Sequence, residues 1–237
     1  KNGGHTQKME YLSNDAGEVK KFKAVTTWNP SAQINDVSIA PVLDDSYTTN
    51  GYYNANTLYK VVTKDEDGNE THSFINSKKQ ALLVRKINKK PNGTTENLDT
   101  YYVYNEFDNI AFVIPPKASA SALTTSLLNA LCYQYKYDKY NRLVEKKLPG
   151  KGWEYMVYDK QNRIVLSQDA NLGTTTNNFA KRGWMFTKYD QLGRIVYTGF
   201  FANTETRTAM QTALNNVSAN ALNNESPSAS PFAQNGI

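Results

Sequence analysis

Two periodicities run through this chain and divide it into elements. Tyr59 to Thr63 alternates apolar and polar residues, as a half-buried strand does, whereas Leu123, Leu127, Leu128 and Leu131 recur at helical spacing. Between Leu131 and Phe201 the pattern becomes a repeat, because one polar phrase returns three times between short apolar runs. The copies are Tyr137-Asp138-Lys139-Tyr140-Asn141-Arg142-Leu143, Tyr158-Asp159-Lys160-Gln161-Asn162-Arg163-Ile164 and Tyr189-Asp190-Gln191-Leu192-Gly193-Arg194-Ile195. Their starts are 21 and 31 residues apart (158 − 137 and 189 − 158). Self-similarity at such periods implies supersecondary units that stack on one another.

The phrase predicts the tip of a β-hairpin. A three-residue loop ending in a left-handed residue makes a type I turn followed by a bulge. Gly takes that conformation freely and Asn tolerates it, which suits Asn141, Asn162 and Gly193. Asp in first place accepts a hydrogen bond from the backbone two residues on. In this register Asp138 faces Arg142, Asp159 faces Arg163 and Asp190 faces Arg194, cross-strand pairs worth about 0.2–1 kcal/mol each. Tyr137, Tyr158 and Tyr189 then face Leu143, Ile164 and Ile195. These charges read as turn chemistry. The fold class expected is mainly β: antiparallel hairpins forming a twisted sheet, with two short amphipathic helices.

Along the chain, residues 1–57 read as N-terminal strands followed by an irregular segment. A turn over Asn14 to Gly17 would join Met9–Ser13 to a return strand from Val19 to Val25, and 29–56, with Pro30 and Pro41, shows little periodicity. Residues 58–116 read as degenerate hairpins, with turns at Asp65 to Gly68 and Asn105 to Asp108. Lys79 breaks the Gly/Asn rule, so the hairpin at Asn76–Gln80 is expected to turn differently. Pro91-Asn92-Gly93 is another turn, and Pro115-Pro116 must end a ladder because neither residue can donate. A packing helix of about three turns, capped near Ser119 or Ser121, is expected within 117–132. Residues 133–201 hold the three strong repeats. A second helix within 203–222 carries Met210, Leu214, Val217 and Leu222, and 223–237 reads as an extended polar tail.

The three phrases resemble the Rhs, or YD-repeat, family of very large secreted bacterial proteins, named for the Tyr-Asp pair. Tyr101-Tyr102-Val103-Tyr104, Val113-Ile114-Pro115-Pro116-Lys117, Leu131-Cys132-Tyr133-Gln134-Tyr135 and Pro149-Gly150-Lys151-Gly152-Trp153-Glu154-Tyr155 are similar to the versions found with a type IX secretion pathway. The resemblance runs from about Tyr59 to Asn235. It implies a shell of hairpins wound into a hollow cocoon that encloses a toxin or other C-terminal cargo. It also implies a secreted or cell-surface location, the rest of the shell and its cargo as partners, and secretion machinery or outer-membrane proteins as contacts during export. The family's autoproteolysis belongs to an Asp-Pro-containing core. This sequence has no Asp-Pro, so that activity carries over to no residue here.

Composition narrows the remaining classes. The 16 tyrosines among 237 residues favour strands and half-buried sheet faces. The net charge of +5 is spread among interleaved acids and bases, so nucleic acid is not an expected partner. No apolar run approaches the ~18 residues of a spanning helix. Lys1-Asn2-Gly3-Gly4 has neither the basic nor the apolar region of a signal peptide, and the chain reads as an interior or processed fragment.

No cofactor and no enzymatic activity are expected. His5 and His72 lack metal-ligand spacing with each other or with Cys132. Cys132, between helix and strand, reads as a buried inert thiol. The acidic run Asp65-Glu66-Asp67 lacks the twelfth-position Glu of a calcium loop. Asp138 and Glu145 could be imagined as a glycosidase pair, but the repeat already explains the aspartates. The rival to a structural role is a carbohydrate- or surface-binding β module, in which Trp28, Trp153 and Trp184 stack on glycans. A sheet of hairpins also leaves open edges, which invite pairing with further repeats or a partner chain.

Overall fold

The computed structural model describes residues 7–216. The chain is mainly antiparallel β and divides into two compact units, one of residues 7–27 with 37–134, the other of 28–36 with 135–216.

The first unit is a meander. Strands β1 (Lys8–Ser13), β2 (Phe22–Asn29) and β3 (Ile34–Pro41) precede the two-residue β4 (Thr48–Thr49) and β5 (Tyr52–Tyr53). Then β6 (Tyr59–Lys64), β7 (Glu70–Ile75), β8 (Ala81–Lys89), β9 (Thr95–Tyr104) and β10 (Ile110–Ile114) pair each with the next. β2 pairs with β3, and β1 pairs antiparallel with β6, Tyr11 opposite Val61.

That pairing corrects the reading of the first residues. Met9–Ser13 does not form a hairpin with 19–25. Asn14 is buried, and its side chain accepts from the Thr57 and Leu58 amides at 3.0 and 2.8 Å and donates to the Asn54 carbonyl at 2.9 Å. This clamp holds the end of β1 against the start of β6. Gly17, at φ 72°, sits in a separate turn closed by the Glu18 amide on the Asp15 carbonyl.

Nor is 29–56 irregular. It supplies β3 to β5, and Val37, Ile39 and Tyr53 from it join Phe22 against the buried Val19, Ala24, Phe74, Leu83 and Phe112. The segment is therefore a covering layer. Beneath it, Arg85 grips its cross-strand partner Asp99 with two bonds of 2.7 and 2.8 Å, and Lys60 meets Glu18 at 2.6 Å. These buried charges are paired, as the cost of desolvating a lone ion requires.

The expected three-turn helix is two shorter pieces, α1 (Pro116–Ser119) and α2 (Thr125–Leu131). Ser119 closes α1, its hydroxyl donating to the Asp99 carbonyl at 3.0 Å. Thr124 caps α2 by accepting from the Leu127 amide at 3.2 Å. The Leu stripe still packs on the core of this unit.

The second unit is a meander of its own, of β11 (Tyr133–Tyr137), β12 (Leu143–Lys147), β13 (Trp153–Tyr158), β14 (Ile164–Gln168), β15 (Gly183–Tyr189) and β16 (Ile195–Ala202), followed by α3 (Arg207–Asn215). Thr206 caps α3 through the Ala209 amide, and Met210 and Leu214 lie against Val157, Leu166, Trp184 and Phe186. Ile34, from the β2–β3 tip, packs with Val144, Met156 and Tyr158. The readings on His5, on Val217 and Leu222, and on the tail 223–237 fall outside the described residues.

Tyrosine burial predicts an alkaline transition. Tyr101 is 3% exposed and edge-on to Phe22, with ring centres 5.2 Å apart, and burial pushes its hydroxyl up to about 12. Burial, with Asp45 adding to it, takes Tyr53 to about 12 as well. The folded state thus prefers the neutral phenol. Its stabilisation is whole below the unfolded value near 10 and is lost as pH rises towards 12. The melting temperature should hold from pH 7 to 9 and fall above 10, with Tyr101 contributing about 2 kcal/mol of the loss. In Tyr101→Phe the fall should be shallower; an identical slope would refute the assignment.

Candidate functional site

The three strong phrases fold into one geometry. In each, the Asp amide donates to the Arg carbonyl (2.9–3.0 Å) and the fourth residue's amide donates back to the Asp carbonyl (3.0–3.2 Å). Asn141, Asn162 and Gly193 sit at φ 59°, 61° and 78°. Each Asp carboxylate is fully used. Oδ1 of Asp138 accepts from the Tyr140 and Arg142 amides at 2.8 and 3.0 Å, and Oδ2 takes Arg142 Nε at 2.7 Å. Asp159 and Asp190 repeat these contacts with their own turns.

The same backbone bracket closes the turns at 65–69, 76–80, 90–94 and 105–109. Lys79 is at φ 64°, so Asn76–Gln80 does not turn differently. The bracket fixes the conformation, and a long side chain pointing to solvent adopts it at a cost of about 1–2 kcal/mol. Asp65 Oδ1 takes the Asn69 amide, and Asn105 Oδ1 takes those of Phe107 and Asn109. Gly68 and Asp108 hold the left-handed positions, at φ 78° and 62°, and Asp108 also accepts from Lys78 Nζ at 2.7 Å.

What the phrase does not reveal is how one turn holds the next. The Arg142 guanidinium lies 5.0 Å from the centre of the Tyr158 ring, and Nη1 donates to the Asp159 carbonyl and to Asn162 Oδ1 at 3.4 and 3.3 Å. In return the Tyr158 hydroxyl donates to the Leu143 carbonyl at 2.6 Å. The next step is the same. Arg163 lies 4.7 Å from the Tyr189 ring and bonds the Asp190 carbonyl at 3.3 Å, while the Tyr189 hydroxyl donates to the Ile164 carbonyl at 2.8 Å. Each Arg thus closes its own turn and clasps the following one. The clasp buries Arg142 and Arg163 to 14% and 15% side-chain exposure, whereas Arg194 stands 71% exposed beside the exposed Leu192 and Ile195.

At the head of this ladder, Tyr137 pairs across to Asn35, and burial pushes its hydroxyl up to about 12. Backbone and side-chain bonds from Arg194 hold the Asp190 carboxyl below its usual range. Cys132 is buried, and burial raises its thiol to about 11. Among the described residues no three or more of His, Cys, Asp and Glu come together as a metal would need. No described helix is long and apolar enough to cross a membrane. Of the tryptophans, Trp184 is fully buried and Trp153 lies between Lys136 and Lys147, their Nζ atoms 5.0 and 6.0 Å from its ring. Trp28 is 41% exposed.

No family model matches this chain, and no curated protein does. Among solved structures, it is similar to the Photorhabdus luminescens Tc holotoxin pore carrying a TccC3 mutation and to the TcdB2-TccC3 crystal structure. Each shows a TM-score of 0.47 and 10% identity over 84% of this chain. TcdB2-TccC3 without its hypervariable C-terminal region gives 0.47 at 11% identity. The chain spans 12–13% of the length of those proteins.

Proposed function

We propose that this chain is a non-catalytic wall segment of a secreted shell of the Rhs, or YD-repeat, kind, which encloses or presents a C-terminal effector or toxin. The observation that carries the reading is the clasp between successive turns. Cores alone would hold hairpins side by side, but the Arg–Tyr clasp also fixes each turn to its neighbour along one rim. Its members are the repeat residues themselves: Tyr158, Tyr189, Arg142 and Arg163 between turns, with Asp138, Asp159 and Asp190 closing them. Such a rim resists splaying, which is what a container wall needs. The exposed Arg194 and the edge of β16 suit the addition of a further hairpin. The partners in this reading are the remaining shell and its cargo, and the type IX-like phrases point to export across the outer membrane.

The test is protease protection in the intact parent polypeptide. The C-terminal cargo should survive a protease dose that digests the same cargo segment expressed alone. Arg142→Gln with Arg163→Gln should open the rim and speed cargo cleavage several-fold. A cargo cut as fast inside the parent as outside it would overturn the shell reading.

A further inference from the structure

Strand β1 stands at the end of its sheet and pairs on one side, with β6, through six consecutive residue pairs without a bulge. Among the described residues no other strand joins it. All six of its residues are exposed. They include Met9 at 50%, Tyr11 at 76% and Leu12 at 51%, and Tyr59, opposite Ser13, adds an aromatic at 66%. Proteins commonly blunt such an edge with proline, a bulge or a run of like charge. β1 has no proline and no bulge, and its two charges, Lys8 and Glu10, cancel.

The ladder to β6 settles which backbone groups are free. The Asn14 amide donates to the Leu58 carbonyl at 3.2 Å, one step beyond the pairing of Ser13 with Tyr59. Antiparallel pairs alternate between bonded and unbonded. Leu12, Glu10 and Lys8 therefore turn their peptide groups towards β6, and Met9, Tyr11 and Ser13 turn theirs outward. An incoming strand can bond to Met9 and Tyr11 without disturbing the existing ladder.

Charge selects that strand. Lys8 and Glu10 flank Met9 with opposite signs. Two copies of β1 laid antiparallel around Met9 place each Lys8 opposite the partner's Glu10. Met9 then meets the partner's Met9 as a doubly hydrogen-bonded pair, and Tyr11 meets the partner's Gln7. The two ion pairs fall at unbonded positions, where facing side chains stand closest. The neighbouring two-fold register, centred on Tyr11, sets Glu10 against Leu12 and gains no ion pair.

We infer that β1 is a self-association edge, through which two copies of this chain join in an antiparallel, two-fold β1–β1 pairing centred on Met9. One strand from each side makes a contact smaller than a standard interface, so the dimer is weak and reversible, with a Kd of about 10–100 µM. The contact does not rest on the shell reading, and no clasp residue takes part in it.

Sedimentation equilibrium of the whole chain, from about 5 to 300 µM, should show a monomer–dimer equilibrium. Glu10→Lys sets lysine against lysine at both ion-pair positions and should weaken the dimer about tenfold or more. Adding Lys8→Glu restores opposite charges in reversed order and should return the affinity to within about threefold of the original. Met9→Pro removes an outward N–H, which an edge strand tolerates, and should abolish the dimer while circular dichroism stays unchanged. A chain that remains monomeric throughout overturns the inference. So does a dimer that Glu10→Lys leaves intact, which places the contact elsewhere. Failure of Lys8→Glu to rescue Glu10→Lys overturns the Met9-centred register and the inference with it.

Discussion

Asp159→Ala should lower the stability of this protein by about 3–4 kcal/mol, more than the same change at Asp190. The Asp159 side chain is 1% exposed and accepts from two backbone amides and from Arg163 Nε. Its loss removes the ionic partner of a guanidinium that is itself 15% exposed, and removing one partner of a buried ion pair costs about 3–5 kcal/mol. Asp190 makes the same bonds, but its Arg194 is 71% exposed and water would take over the freed charge. Urea denaturation of the two variants separates these cases. Equal losses would show that the turn contacts dominate and that the clasp adds nothing.

Gly183→Ala should cost about 3 kcal/mol, a value at the upper end for overpacking. A Cβ there would stand 2.4 Å from the Phe201 carbonyl oxygen and 2.4 Å from Phe200 Cζ. The side chain could swing away, but the carbonyl belongs to the paired strand β16. Gly183 is also tied by its amide to the Leu172 carbonyl at 3.0 Å and by its carbonyl to Gln168 Nε2 at 2.8 Å, so it cannot retreat. Gly193 makes the control. It has open space around it but φ 78°, and Gly193→Ala should cost only about 1 kcal/mol of conformational strain. Thermal melts giving the two substitutions equal penalties would reject the steric argument.

The antiparallel, mainly β character is legible in the sequence because its signals are local: turn residues at fixed offsets and short alternating runs. Asn141, Asn162 and Gly193 announce the left-handed position by residue type. Lys79 takes the same conformation without announcing it, since a backbone bracket can impose what the side chain merely tolerates. Long-range pairing is not legible. Nothing in Met9–Ser13 says that its partner is Tyr59–Lys64, and the clamp that decides it is one buried Asn14. The covering layer of 37–53 was hidden because Val37 and Ile39, though two apart as on a strand face, make too short an alternation to stand out, and Tyr53 lies on a separate strand of two residues. Leu123 to Leu131 gave the right face but the wrong length, because the cap is Thr124.

The clasp between turns has a direction. It presents a guanidinium on one side and a phenol ring on the other, and these are not interchangeable. Two copies meeting through Arg194 would set like charge against like, so a closed two-fold dimer cannot use this surface. What satisfies Arg194 is a following turn that brings a Tyr ring over it, and such a turn carries its own Arg on to the next position. An assembly with that property has no intrinsic stopping point: it must be terminated by a cap of different chemistry or by closing on itself, or it grows into fibres.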